Sequence, residues 1–292
     1  MTLSFDHPIV DTHVHLWDPN HFRMPWLDGN DAIAKPFGLS DYREHTAGLN
    51  IGAFVYIEVA VAPHYGLLEA RWVVDRANED PRLQAIVAAA PVEFGERARA
   101  YLDALVAIDP RIKGVRRSPS GDPSDPGYGL NPDFVRGEQL LGEYGLTFDL
   151  VLSADRLPMA AELVSRCPGT QFILDHIGGP DIVGKQREPW FGGITQLATL
   201  PNIICKVSGV ATAADREHWT VADIAPYVEH VLDAFGEDRV AYGSDWPVAL
   251  LGTPYTRWVE ALDEITKSFS PEAKRKLWAG NAKRFYGLAG NA

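Results

Sequence analysis

Cysteine and long apolar segments are scarce in this chain. The 292 residues contain only Cys167 and Cys205, which are too few for a disulfide framework and are typical of buried thiols in a reducing compartment. No uncharged apolar run approaches the ~20 residues that cross a membrane, and residues 1–6 lack the basic and apolar regions of a signal peptide. We therefore expect a cytoplasmic protein without a membrane partner.

Basic residues are also in deficit. Lys and Arg number 27 against 39 Asp and Glu, which gives a formal net charge of -12. Because a non-specific nucleic-acid binder needs a basic stripe, nucleic acid is not an expected partner, although a local arginine cluster can still bind a small anion. No Gly-x-Gly-x-x-Gly turn follows the first predicted strand and no Walker-type loop occurs, so we expect no nucleotide cofactor.

The chain does contain a regular alternation of strand-like and helix-like segments. Runs rich in β-branched and aromatic residues predict eight strands, with segments of helical spacing between them. The predicted strands are residues 8–14, 53–59, 83–90, 112–116, 147–152, 172–176, 202–207 and 240–245. This alternation predicts an α/β fold of one TIM-like (β/α)8 barrel domain over residues 1–292, with an extra C-terminal helix at 271–285. A doubly wound open sheet is the alternative.

Two histidines, His13 and His15, stand one residue apart at the end of the first predicted strand. Side chains on a strand alternate between its faces, so both imidazoles should project to the same side. Two adjacent imidazoles are suitable ligands for one metal ion. The alternative is that one histidine is buried and hydrogen-bonded and the other caps a loop.

Other polar side chains fall at the ends of the remaining strands, where barrels of this kind place their active sites. They are Glu58, Lys113, Arg116, Arg117, Asp149, Asp175, His176, Lys206, Ser208, Ser244 and Asp245. Apolar packing alone would not require such a ring of titratable groups, and we expect it to be functional. Lys113 is equally well explained as a surface residue, and Asp175 as a cap of the following turn.

A series of motifs resembles the amidohydrolase superfamily, and within it the amidohydrolase-related lactonases that open sugar lactones such as fucono- and rhamnonolactone. The motifs are residues 11–18 (DTHVHLWD), 24–27 (MPWL), 69–72 (EARW), 113–116 (KGVR), 174–178 (LDHIG), 205–209 (CKVSG), 243–247 (GSDWP) and 281–286 (NAKRFY). The resemblance runs from about residue 8 to residue 287, and the order and spacing of the motifs carry it. It implies a barrel hydrolase.

The chain departs from the fuller superfamily pattern at two strands. That pattern has a carboxylate or modified lysine on strand four and a histidine on strand five, where this chain has Arg116 and Asp149. The resemblance therefore implies at most one divalent metal, such as zinc. Its ligands would be His13, His15 and Asp245, completed by Glu58 or His176. The branch is also similar to a pyrone-dicarboxylate lactonase that works without metal, so the metal requirement stays open.

Opening a lactone needs a base for water and positive charge beside the carbonyl oxygen. We assign Asp245 as the base and expect His15 and His176, with His13 or a metal, to polarise the carbonyl. The substrate contacts would come from Arg116, Lys206, Asp149, Trp26, Trp246 and Arg71. Arg116 and Lys206 could instead form salt bridges with Asp149 or Glu58. The two tryptophans could pack in the core, and Arg71 could pair with an acidic residue.

The sequence thus predicts a hydrolase that opens a small sugar 1,4- or 1,5-aldonolactone. Loops 16–38 and 118–132 would lie over the mouth and set its specificity. A pyrone-dicarboxylate-type lactonase without metal and a metal-dependent decarboxylase of an aromatic acid are the alternative enzymes. A third hypothesis is a barrel that binds a ligand without catalysis, and it would require His13, His15 and Asp245 to lie apart. Neither the particular lactone nor the oligomeric state follows from the sequence.

Overall fold

The structure is a computed structural model that describes residues 8–120, 125 and 127–289. Eight parallel strands follow one another around a single sheet in chain order. They are β1 Ile9–Val14, β2 Ile51–Ile57, β3 Leu83–Ala89, β4 Ile112–Arg116, β5 Thr147–Leu150, β6 Gln171–Leu174, β7 Ile203–Val207 and β8 Val240–Tyr242. The predicted (β/α)8 architecture is confirmed.

Helices connect the strands and cover the outside of the sheet. They are α1 Leu39–His45, α2 Gly66–Glu79, α3 Arg99–Val106, α4 Pro132–Glu143, α5 Leu157–Arg166, α6 Trp190–Ala198, α7 Val221–Phe235, α8 Tyr255–Ile265, α9 Pro271–Arg275 and α10 Asn281–Tyr286. The predicted C-terminal helix is present but is interrupted, because a π-helical turn at Lys276–Gly280 separates α9 from α10. Among the described residues, no helix is long and apolar enough to cross a membrane.

The barrel closes through residues just beyond the ends of β1 and β8. The amide of His15 donates to the carbonyl of Trp246 over 2.8 Å, and the amide of Asp245 donates to the carbonyl of His13 over 2.9 Å. Residues of β1 and of the loop after β8 therefore alternate in one hydrogen-bonded seam. This seam places Asp245 beside the two histidines of the first motif.

Two apolar layers hold the barrel together. The larger lies between the sheet and the surrounding helices, and the smaller fills the barrel with inward side chains such as Val10, Val55 and Val87. Ala282 and Tyr286 of α10 belong to this inner layer. The C-terminal helix is thus part of the barrel interior as well as an addition to its outside.

β6 and β8 end before the residues that the sequence pattern predicts, and the difference shapes the site. β6 ends at Leu174 and β8 at Tyr242, so Asp175, His176 and Asp245 lie on turns. His176 and Asp245 have φ values of 51° and 63°, a left-handed conformation that strands cannot accommodate. Sparsely populated backbone conformations of this kind concentrate at functional sites.

Candidate active site

The histidines of the first motif converge as predicted. A register irregularity between Asp11 and Val14 brings His13 to the inside of the barrel, and its Nε2 lies 3.1 Å from Nε2 of His15. Nδ1 of His15 lies 2.8 Å from the carbonyl oxygen of Ile57. This contact directs Nε2 of His15 towards the centre of the cluster.

A buried carboxylate, Asp11, fixes the end of β1 in this position. One of its oxygens accepts from the amides of Ser244 and His13, at 2.8 and 3.2 Å. The other accepts from the hydroxyls of Tyr255 and Tyr42, at 2.9 and 3.1 Å. Asp11 therefore ties β1 to the loop after β8. Asp11 belongs to the motif at residues 11–18, but no role was predicted for it.

Asp245 faces three imidazoles with the same oxygen. Its Oδ1 lies 3.5 Å from Nε2 of His15, 3.7 Å from Nε2 of His13 and 3.9 Å from Nε2 of His176. These residues come from three separate strand ends, yet they meet around one point. A non-catalytic barrel would not need that convergence.

His176 is the most accessible member of the group, with 24% of its side chain exposed. Its Nδ1 lies 3.1 Å from the hydroxyl of Ser208, which leaves Nε2 facing Asp245. The next residue, Gly209, has a φ of +61°, and a Cβ there would lie 2.6 Å from Nδ1 of His176. Glycine is thus required for the chain to pass so close to the imidazole.

A buried ion cluster lies behind His13. Lys206 forms an ion pair with Asp149 and a second with Asp175 at 3.0 Å. The other oxygen of Asp175 lies 3.7 Å from Nη1 of Arg116, and its Oδ1 lies 3.4 Å from Nδ1 of His13. The alternative explanation, that Asp175 caps the following turn, does not account for its contacts with a histidine, a lysine and an arginine.

Glu58, predicted as a metal ligand, is engaged elsewhere. Its Oε1 accepts from Nε of Arg116 over 2.6 Å, and its Oε2 accepts from the amide of Ala60 over 2.6 Å. Both oxygens therefore already have donors, and Glu58 does not join the histidine–aspartate group. The alternative of a salt bridge between Arg116 and Glu58 describes the structure, as does the one between Lys206 and Asp149.

Burial dominates the electrostatics of the site. It lowers the pKa of His15 to about 3 and holds the pKa of His13 well below its usual value, so both are neutral imidazoles. It also raises the pKa of Asp245 to about 6 and that of Asp149 to about 7. Burial acts in the same direction on Asp175, but Lys206 and His13 outweigh it and hold the pKa of that carboxyl well below the usual range.

The donor atoms fit one divalent metal ion. His13, His15 and Asp245 offer two nitrogens and an oxygen separated by 3.1 to 3.7 Å. A tetrahedral zinc with ligands at about 2.0–2.2 Å spaces them about 3.3–3.5 Å apart. Nδ1 of His15 lies against the carbonyl oxygen of Ile57, which leaves Nε2 of that imidazole as the lone-pair donor directed at the shared point.

The charges of the surrounding side chains also favour a bound divalent cation. The cluster holds four carboxylates, on Glu58, Asp149, Asp175 and Asp245, against the two cations of Arg116 and Lys206. With every carboxylate ionised the net charge is -2, which a divalent cation neutralises. Nη1 of Arg116 lies 3.4 Å from Nε2 of His13 and is an unfavourable neighbour for a metal. The identity of the metal does not follow from these contacts.

Two of the residues expected to bind substrate, Trp246 and Arg71, differ in their surroundings. Trp246 is fully buried, its ring packs on Phe37 and Tyr42, and its Nε1 donates to Nδ1 of His45 over 3.2 Å. Its indole face is thus covered by core side chains. Arg71 lies on the exposed side of α2. Packing is the interpretation that fits Trp246, whereas substrate binding by Arg71 stays a prediction.

Trp26 contacts the chain that follows β2. It is half-buried, its Nε1 donates to the carbonyl of Val59 over 2.6 Å, and its ring meets Trp17 edge to face. The loop that carries it is closed at its base by two backbone hydrogen bonds between Trp17 and Phe37. Loop 16–38 is therefore ordered as expected, whereas part of loop 118–132 falls outside the described residues.

One supporting residue, Glu69, belongs to the motif at residues 69–72, but no role was predicted for it. It is buried on α2, and its Oε1 accepts from the hydroxyl of Tyr56 and the amide of Val59, each at 2.8 Å. These bonds hold the chain just after Glu58. An acidic residue at a buried position of a predicted amphipathic helix was the available signal.

Comparison with known proteins gives results in keeping with this geometry. A family model described as amidohydrolase matches residues 10–288. An L-fucono-1,5-lactonase from Burkholderia ambifaria is 28% identical over 95% of this chain and 94% of its own length. A 4-sulfomuconolactone hydrolase from Rhizobium radiobacter is 23% identical over 95% of this chain and 89% of its own. A crystal structure of an amidohydrolase from Burkholderia multivorans with bound zinc has a TM-score of 0.87 at 24% identity, covering 97% of this chain and 100% of that one.

Proposed function

We propose that this chain, which belongs to the amidohydrolase family, hydrolyses the ring ester of a small neutral sugar aldonolactone. The observation that carries the proposal is the convergence of His13, His15 and His176 on Oδ1 of Asp245. A base surrounded by three imidazoles suits the addition of water to a carbonyl carbon. The similarity to a fuconolactonase supports the same substrate class.

In the proposed reaction a water oxygen bonds to the lactone carbonyl carbon while Asp245 accepts one proton of the water at Oδ2. That oxygen lies towards Gly209, whereas Oδ1 makes the three histidine contacts. The bond from the carbonyl carbon to the ring oxygen then breaks, and Asp245 returns the proton to the departing alkoxide. The product is the open hydroxy acid. In the metal-free protein burial raises the pKa of Asp245 to about 6, and a carboxylate that is harder to ionise is a better proton acceptor near neutral pH.

The other residues stabilise charge and hold geometry. Nε2 of His176 is positioned to donate to the developing oxyanion, because Nδ1 is occupied by Ser208. We propose that His13, His15 and Asp245 hold one divalent metal, and zinc bound there would polarise the carbonyl and lower the pKa of a bound water. The ion cluster keeps His13 in place.

The pairing of the cations argues for a neutral substrate. A lactone with a free carboxylate needs an unpaired cation to offset its charge. Here the Arg116 guanidinium forms an ion pair with Glu58, and the Lys206 ammonium forms ion pairs with both Asp149 and Asp175. The hydroxyls of a sugar lactone make no such demand. The same pairing removes Glu58 from the role that a metal-dependent decarboxylase would require of it.

Both cysteines are buried and free, which agrees with the expected reducing, cytoplasmic compartment. We propose this location together with the small-molecule lactone as the partner.

The test is a substrate panel with the purified, zinc-loaded protein. Acid release at constant pH would be measured for fucono-1,5-lactone and other neutral aldonolactones, and for 4-sulfomuconolactone and 2-pyrone-4,6-dicarboxylate as anionic lactones. Carbon dioxide release from 2,6-dihydroxybenzoate would test the decarboxylase. Parallel reactions without protein correct for spontaneous ring opening.

We expect turnover of one or more neutral aldonolactones and a loss of that turnover on treatment with a chelator. Turnover confined to the anionic lactones would contradict the neutral substrate class. Carbon dioxide release without lactone opening would contradict the hydrolytic proposal itself. Full activity after exhaustive metal removal would retain the lactonase and would make His13 and His15 direct hydrogen-bonding groups.

A further inference from the structure

The C-terminal helix reaches into the barrel from the end opposite the candidate site. The side-chain amide of Asn281 donates to the carbonyls of Glu237 and Val240, at 2.8 and 2.7 Å, where β8 begins. These bonds anchor α10 at the amino-terminal mouth of the barrel. From this anchor Tyr286 extends inward, and it is 2% exposed.

The phenol of Tyr286 meets the buried ion cluster. Its hydroxyl lies 3.3 and 3.5 Å from the two carboxylate oxygens of Asp149. Its ring lies 5.8 Å from the ammonium of Lys206, measured to the ring centre. Tyr286 therefore offers Asp149 a hydrogen-bond donor and Lys206 an aromatic face at the same time.

From this tyrosine a chain of buried contacts runs to the histidines. Asp149 pairs with Lys206, Lys206 lies 3.0 Å from Asp175, and both Asp175 and the ammonium of Lys206 lie 3.4 Å from Nδ1 of His13. Lys206 is shared between two carboxylates, so a change at one of them alters its hold on the other. The orientation of His13 thus depends on contacts that begin at the far end of the barrel.

We propose that Tyr286 is a positioning residue for the candidate site, acting on His13 through Asp149, Lys206 and Asp175. The hydroxyl holds Asp149 in a place where Lys206 bridges both carboxylates, and Asp175 is then free to orient the imidazole. This inference rests on the proposed role of His13 at the hydrolytic site. It explains why an aromatic residue with a hydroxyl closes the motif at residues 281–286.

The test removes only the hydroxyl, with Tyr286→Phe, which leaves the ring in the barrel. We expect zinc affinity, measured by competition with a chelating indicator, to fall about 3- to 10-fold, less than the 10- to 100-fold typical of a group that contacts a metal ligand directly. The ¹⁵N chemical shifts of the His13 ring in the metal-free protein should change as well. For a lactone substrate we expect kcat to fall with little change in KM.

The matched control is Tyr144→Phe, which removes a tyrosine hydroxyl bonded to Asp103 at 2.5 Å on the outside of the barrel. It should leave zinc affinity and the His13 signals unchanged. A double-mutant cycle with Asp149→Asn tests the route, because the effect of Tyr286→Phe should largely disappear when its partner is already altered.

Wild-type zinc affinity and unchanged His13 signals in Tyr286→Phe would overturn the inference, and so would full additivity with Asp149→Asn. Both readouts are independent of lactone turnover. If the protein opened no lactone, the proposed function would fail while the zinc and NMR measurements still decided the role of Tyr286. If Tyr286→Phe matched wild type while lactones were hydrolysed, only this inference would fail.

Discussion

At the scale of single residues, Asp175 and Asp245 show how position decides the chemistry of two buried carboxyl groups. Asp175 lies 3.0 Å from a lysine ammonium, and its pKa is held well below the usual range despite burial. Asp245 faces the neutral imidazoles of His13 and His15, and burial raises its pKa to about 6. The first is a permanent anion that orients groups around it. The second can exchange a proton near neutral pH.

Gly209 is a further residue on which the site depends. For Gly209→Ala we expect a small loss of stability from the positive φ, roughly 1 kcal/mol, and a loss of activity on the order of 10²-fold, because the new Cβ would displace His176. Thermal melts and initial rates of lactone opening would measure the two effects.

Gly145→Ala is the matched control for this substitution. Gly145 has a φ of +68° with nothing within 4 Å of its Cβ position, so the variant should lose stability while it retains activity. Equal activity in the two variants would show that the close approach to His176 is unimportant.

At the scale of an element, helix α4 contains a buried acidic side chain that destabilises the fold and takes no part in the candidate site. Glu138 is fully buried on this helix, and neither carboxylate oxygen has a hydrogen-bond partner among the described residues. Burial raises its pKa well above the usual value. In the unfolded chain the group ionises near pH 4.3, so above that pH the folded state binds more protons than the unfolded state. The free energy of unfolding should therefore fall as pH rises.

This argument predicts the behaviour of Glu138→Gln. The free energy of unfolding of the variant, relative to that of the wild type, should increase as pH rises from about 5 to 8, by up to about 1.4 kcal/mol per pH unit. Denaturant titrations at several pH values would measure the difference. Glu229→Gln, at an exposed position on α7, should show no such trend. Parallel pH profiles for wild type and Glu138→Gln would refute the account of Glu138.

At the scale of the whole molecule, much of the architecture could be predicted from the sequence. Alternation of apolar strands and helices specifies the order of the elements, and the shared direction of parallel strands brings residues 13, 176 and 245 to one end. The pairing of Glu58 with Arg116, 58 positions later in the chain, could not be read locally. It depends on which strand ends become neighbours and on which rotamers fill the barrel.

The positions of the Trp246 and Tyr286 side chains could not be predicted from the sequence either. Both are aromatic residues in motifs, and the sequence alone does not distinguish a ring that faces substrate from one that packs in the core. The structure places Trp246 in the outer core and Tyr286 in the inner one. The π-helical turn between α9 and α10 is likewise not specified by the sequence pattern, which predicts one continuous helix over residues 271–285.

The charge balance of the whole cluster predicts a response to zinc. Since only the folded chain assembles the ligands, zinc should raise the melting temperature, with a gain in free energy of about 2.7 kcal/mol at a hundredfold excess over the dissociation constant. Calorimetry with and without zinc would measure the shift. His15→Asn should abolish most of it, whereas the exposed His218→Asn should not. An equal zinc shift in both variants would place the metal elsewhere.

The most direct test of the central claim is the rate of acid release from an aldonolactone by Asp245→Asn, compared with wild type and with Asp215→Asn as an exposed control. Circular dichroism and thermal melts would establish that all three proteins are folded. The account predicts a fall of about 10²- to 10⁴-fold in kcat/KM for Asp245→Asn alone. Turnover close to that of the wild type in this variant would contradict it.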